Sequence, residues 1–146
     1  MDTVKLLRDL FKENIDKCIA VIGPTCVGKT TMMKDFPEAV AISSISPPLT
    51  EIENQQVRQT PWTEEIGELV NTIKGKKAKI EPGRPAFGTV IPSNTQLIIY
   101  LTISDDLLKR RTEMRRVSFI DAKRMQKWIE KKIKESKLTT KIVNIK

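Results

Sequence analysis

The most chemically loaded stretch of this 146-residue sequence is VIGPTCVGKT, residues 21–30. Gly23, Gly28, Lys29 and Thr30 satisfy the spacing G-x-x-x-x-G-K-[ST]. Two glycines let a backbone curl until successive N–H groups point at one centre, which suits phosphate oxygens. A lysine at this place reaches the outer phosphates of a nucleoside triphosphate, and the Thr30 hydroxyl is placed to ligate Mg²⁺. The expected nucleotide-binding set is Gly23, Pro24, Thr25, Cys26, Val27, Gly28, Lys29, Thr30 and Thr31. Cys26 occupies a variable position and reads as a small polarisable filler, since no base is at hand to activate its thiol.

Moving a phosphoryl group depends on positioning and on cations around the charge that develops. Arg110, Arg111, Arg115 and Arg116 supply them densely, and Arg111 and Arg115, four apart, share one helix face. Their alternative reading is a solvated basic surface. Arg84 and Arg58 are candidates for the acceptor side, where a guanidinium grips a phosphate with two parallel hydrogen bonds. Glu81 could hold Mg²⁺ through water, accept a proton from a hydroxyl acceptor, or simply stand exposed at a strand end. Phe87 and Trp62 read either as core or as platforms for a base. Histidine is absent, which excludes an imidazole base and His-ligated metals.

These residues need a frame. CIAVI (18–22) is a continuous apolar run expected to form a strand buried on both faces. It is preceded by an amphipathic helix over 3–13, and a further helix is expected from Lys29 to Pro37. AVAISSI (39–45) predicts a second strand, and 46–60 a polar segment that is irregular in part. Pro61 at a first helical position predicts a helix that Gly75 stops. KKAKI (76–80) is the expected third strand, 81–94 a loop, and TQLIIYLTI (95–103) a strong fourth strand. Ser104 should cap the next helix, with Asp105 and Asp106 at its positive end. A helix over 121–136 and a strand over 140–145 complete the chain. Alternating strands and helices predict one α/β domain over 1–146, a three-layer fold with a mainly parallel sheet of about five strands flanked by helices.

The loop on its strand resembles the Walker A motif of P-loop NTPases, which implies ATP and Mg²⁺. The guanine-reading N-K-x-D of common GTPases is absent, as is the Asp-ended strand of motor ATPases. A compact phosphotransferase remains. EPGRPAFGTVIPSNTQLIIYLTISDDLLKRR (81–111) is similar to a stretch of bacterial cytidylate kinases, in which D-G-R-D-x-G-T-V-x-F-P leads into a strand and an arginine-bearing helix. Gly83, Arg84, Gly88, Thr89, Val90 and Pro92 match, followed by Arg110 and Arg111. Pro82 after Glu81, Pro85 in place of the second Asp, and one residue added before Gly88 depart from it. Nucleoside monophosphate kinase likeness implies a triphosphate donor and a nucleotide-like acceptor. It also gives Lys29, Arg84, Arg111 and Arg115 catalytic roles, and makes TEMRRVSF a minimal lid.

LLKRRTEMRRVSFIDAKRMQKWIE (107–130) also resembles the lid and following helix of polynucleotide 5′-hydroxyl kinases, although no Asp base follows the second strand. A third reading is a non-enzymatic protein that binds nucleotide or nucleic acid. Charge keeps nucleic acid in view. Residues 107–146 hold 14 Lys/Arg against 4 Asp/Glu, whereas 1–106 hold 12 against 14. The two cysteines form no framework, no apolar stretch is long enough for a bilayer, and the charged N-terminus is unlike a secretory signal. A cytoplasmic protein without a membrane partner is the expectation.

Overall fold

Ile19–Ile22 forms β1, four apolar residues that divide alternately between the two faces of a sheet. Leu97–Ile103 (β4) repeats this on a longer scale, with Leu97, Ile99, Leu101 and Ile103 on one face and Ile98 and Tyr100 on the other. The computed structural model, which describes residues 2–145, completes the sheet with Val40–Ala41 (β2), Ala86–Gly88 (β3) and Thr139–Ile145 (β5). All pairings are parallel and the order is β2-β3-β1-β4-β5. The expected three-layer α/β architecture is therefore present.

Helices cover both faces. Thr3–Glu13 (α1), Lys29–Met33 (α2) and Asp105–Met114 (α5) pack Leu7, Phe11, Met32 and Leu108 on one side. Glu64–Val70 (α4) and most of Phe119–Ser136 (α6) cover the other, with Trp128 and Ile129 at its centre. Trp62 meets Trp128 edge to face at 5.8 Å, and the Trp128 indole N–H donates to Glu68 Oε1 at 3.0 Å. The Lys132 ammonium, 2.6 Å from the same carboxylate, and that indole N–H hold the Glu68 carboxyl below its usual range. Ser104 caps α5 through a hydrogen bond from Leu107 N–H at 3.2 Å.

Several elements depart from expectation. The second strand stops after Ala41 because Ile42–Ser44 tightens into a 3₁₀ turn. Glu51–Val57 (α3) is a helix within the segment expected to be irregular in part. A reciprocal capping box stabilises it: Thr50 Oγ1 accepts from Glu53 N–H at 3.2 Å, and Glu53 Oε1 accepts from Thr50 N–H at 2.9 Å. Thr63 rather than Pro61 starts α4, its hydroxyl accepting the Ile66 N–H at 3.4 Å. After α4 the chain continues into a π turn, Asn71–Gly75.

The third strand is the consequential correction. KKAKI is not a strand, although Ala78 and Ile80 are buried alternately as in one. Its ladder is replaced by a side chain: Asn94 Oδ1 accepts the Ile80 N–H at 2.9 Å, and Asn94 Nδ2 donates to Ile80 O at 2.9 Å. The strand lies eight residues beyond Ala78, at Ala86–Gly88, inside the expected loop. TEMRRVSF is the junction between two helices. Arg115 ends α5, Arg116 takes a left-handed φ of 55°, and Ser118 already caps α6.

Candidate functional site: the 23–31 loop and the strand ends around it

Strand β1 delivers Gly23 to the C-terminal edge of the sheet, where its N–H donates to Gly88 O at 3.2 Å. From there the chain reverses twice through left-handed conformations, at Cys26 (φ 68°) and Gly28 (φ 95°), before entering α2. A left-handed cysteine costs about 1 kcal/mol relative to glycine, so this segment needs holding. Arg111 does it from α5: its Nη1 donates to Val27 O at 3.0 Å and to Cys26 O at 3.3 Å. Lys29 folds back over the same loop, and its Nζ donates to Gly23 O and, at 2.8 Å, to Pro24 O. Burial pulls the Lys29 ammonium from 10.5 down to about 7. Two basic side chains thus converge on the backbone of residues 23–27.

A cleft of about 440 Å³ flanks this loop, lined by Cys26, Val27, Gly28, Thr31, Arg111 and Arg115, with Thr3, Met114 and Ile145 closing its far side. Thr30 is exposed at the first turn of α2. Among the described residues no cluster of three or more Asp, Glu, Cys or His could hold a metal. If Mg²⁺ were bound here, the Thr30 hydroxyl would be its protein ligand, with phosphate and water oxygens as the rest. Hard oxygen donors of this kind fit Mg²⁺, which keeps several waters when bound beside phosphates.

The structure brings together Lys29, residues 23–31, Arg111 and Arg115. It does not bring Glu81 or Arg84 to them. Ala86 pairs with Ala20 and Gly88 with Ile22, so Glu81 and Arg84 lie before β3, at the opposite edge of the sheet from Gly23. Gly83 is correspondingly near Ile15, ahead of β1. At about 3.3 Å per residue the separation from the loop is roughly 15 Å. Arg84 and Glu81 face each other at 3.9 Å, both largely exposed. Arg58 ends α3, a helix with no buried residue. Trp62 and Phe87 are core contacts: Phe87 is buried and stacks on Phe36 at 6.5 Å.

What does lie beside the loop, at the ends of β2 and β3, is a pocket of about 180 Å³ lined by Ser43, Lys74, Gly88, Thr89 and apolar neighbours. Gly88 is required there, because a β-carbon would come within 2.8 Å of Ile42 Cδ1. Thr89 stood inside the FGTV segment already singled out, whereas Ser43 and Lys74 carry no spacing signal and are joined only by the fold. No family model matches the chain, and no curated protein matches it.

Proposed function

We propose that this chain binds a nucleoside triphosphate, ATP, by its phosphates on residues 23–31 and moves the γ-phosphoryl group to a nucleoside monophosphate or similar nucleotide. The observation that carries the reading is the convergence of Lys29 and Arg111 on the carbonyls of one doubly reversed glycine loop. The strand order, with the loop on the central strand, supports it. An incoming phosphate chain offers Lys29 anionic oxygens in place of carbonyls and restores its charge. The 440 Å³ cleft beside Arg115 has room for the nucleoside end of the donor. Thr30 and the phosphates would hold Mg²⁺, which when bound would supply charge neutralisation at the phosphates.

The acceptor would enter at the ends of β2 and β3, where Lys74 meets one negative charge. No carboxylate lines that pocket. A monophosphate oxygen is already anionic and attacks without a base, whereas a 5′-hydroxyl needs its proton removed. The lining thus favours a monophosphate acceptor over a polynucleotide 5′-hydroxyl. A second reading, nucleotide binding without transfer, draws on the same pocket, which has a single cation while Arg58 and Arg84 lie elsewhere. Nucleic acid would be met by exposed Lys127, Lys131 and Lys134 on α6.

Labelled ATP with a panel of nucleoside monophosphates and a 5′-hydroxyl oligonucleotide tests this. Label on a monophosphate, abolished by Lys29→Ala, is the expected result. Label on the oligonucleotide alone refutes the acceptor assignment. ATP bound with label on nothing favours the non-enzymatic reading, and absence of ATP binding sinks both.

A further inference from the structure

A cavity of about 380 Å³ opens on the sheet face opposite the donor cleft, between α6 and the segment that returns the chain from β3 to β4. Its floor is apolar, built from Ile22, Val90, Trp128 and Ile129. It shares no residue with the donor cleft, and only Thr89 and Val90 with the small pocket at the ends of β2 and β3.

Most polar groups on its wall are already committed. The Thr95 hydroxyl donates to Pro92 O at 2.7 Å, that of Ser136 to Ile133 O at 2.6 Å, and Lys132 is paired with Glu68 at 2.6 Å. Asn71 is different. It begins the π turn closed by a hydrogen bond from Lys76 N–H to Asn71 O at 3.0 Å, a widened turn frequent at ligand sites. Its carboxamide oxygen lies over Gly75, where a β-carbon would collide with it. The carboxamide makes no hydrogen bond to a described residue and is not sealed from solvent. It therefore offers a donor and an acceptor, side by side, to an occupant of the cavity. Glu135 stands exposed on the rim and forms no ion pair among the described residues.

We propose that this cavity is a binding site for an unphosphorylated nucleoside, with Asn71 reading the edge of the base and Glu135 accepting from the ribose hydroxyls. A carboxamide complements a neighbouring donor and acceptor on a planar heterocycle, the pairing asparagine makes with adenine in DNA. An apolar floor with a few placed polar groups suits a small organic ligand of this size. Phosphate is disfavoured, since Lys132, the only cation on the wall among the described residues, is neutralised by Glu68. The site does not rest on the phosphotransfer reading, and a titration without ATP reads it whether or not ATP binds elsewhere.

The test is titration of the full chain with adenosine, guanosine, cytidine and uridine, followed by tryptophan emission, because Trp128 forms part of the wall. One nucleoside should give a saturable change that saturating ATP leaves in place. Asn71→Asp, which keeps the side-chain shape, should weaken it about tenfold. The 2′,3′-dideoxy form of the same nucleoside should bind more weakly to the parent, with that difference reduced in Glu135→Gln, whose neutral amide oxygen is a weaker acceptor than the carboxylate and which leaves the core untouched. The proposal is overturned if none of the four nucleosides gives a saturable change, or if ATP displaces the one that does. Unchanged affinity in a natively folded Asn71→Asp overturns it too, as does an undiminished dideoxy effect in Glu135→Gln.

Discussion

Arg111 on α5 donates to the carbonyl of Val27 at 3.0 Å across 84 positions of sequence. This contact ties the start of the basic C-terminal segment, residues 107–146, to a loop near the opposite end of the primary structure. It also sits over the one left-handed non-glycine residue of that loop, Cys26. Arg111→Ala is expected to destabilise the fold by about 1.5–3 kcal/mol, the value of hydrogen bonds to a charged group. Arg115→Ala, exposed at the cleft rim, should leave stability within about 0.5 kcal/mol and raise the KM for ATP. Urea unfolding curves separate the two, and equal losses would contradict the bridging role.

Lys29 carries a pH signature. Between about 7, its folded value, and 10.5, its ordinary one, the unfolded chain holds a proton that the folded chain lacks. The contribution of this lysine to stability therefore rises with pH through that window, by at most about 1.4 kcal/mol per unit. Below pH 7 both states are protonated, and the burial penalty is fully present. Phosphate binding that recharges Lys29 must take up a proton at alkaline pH. Calorimetry at about pH 8.5 in buffers of different ionisation enthalpy should show uptake approaching one proton per ATP, and none in Lys29→Ala.

Arg84→Ala and Glu81→Ala are expected to leave ATP binding and turnover within about twofold, and stability within about 0.5 kcal/mol, as for other exposed ion pairs. A large loss of activity in either would mean that the far edge of the sheet belongs to the site.

Gly67 lies between the two indoles, and a β-carbon there would come within 2.9 Å of both Trp62 and Trp128. Alanine is normally the better helix residue, yet Gly67→Ala should lower stability by about 1–3 kcal/mol through overpacking. Thermal unfolding monitored by near-UV dichroism of the tryptophans reads both the loss and the displaced rings.

The misplaced acceptor residues follow from one shifted strand. The tight reversal over residues 23–31 was legible because its glycine spacing is carried by contiguous residues, and β4 because a doubly buried strand is continuously apolar. KKAKI carries the right alternation, Ala78 and Ile80 inward, but its hydrogen bonds go to the Asn94 side chain. The strand that pairs with β1 has only three residues, Ala86–Gly88, between a proline and a threonine. With the strand at 76–80, Glu81 and Arg84 would stand at its C-terminal end, beside the loop. With the strand at 86–88 they stand before its start, on the other side of the sheet. Short strands leave too little pattern to read, and here a small shift inverts which residues can meet. Lys74 and Ser43 were invisible for the complementary reason: nothing local marks side chains that only tertiary folding assembles.

Strand β5 gives the sheet an asymmetric outline. The outer edge at β2 is two residues long, but β5 presents seven, and its pairing with β4 uses one side only. Val143 and Ile145 are buried, while Ile142 is 65% exposed beside an exposed Lys141. A seven-residue border with free amides and carbonyls is a template for another strand, and one lysine is a light guard against it. Growth of this sheet is thus directional: a further strand, from any chain, has a seam to join along β5 and almost none along β2.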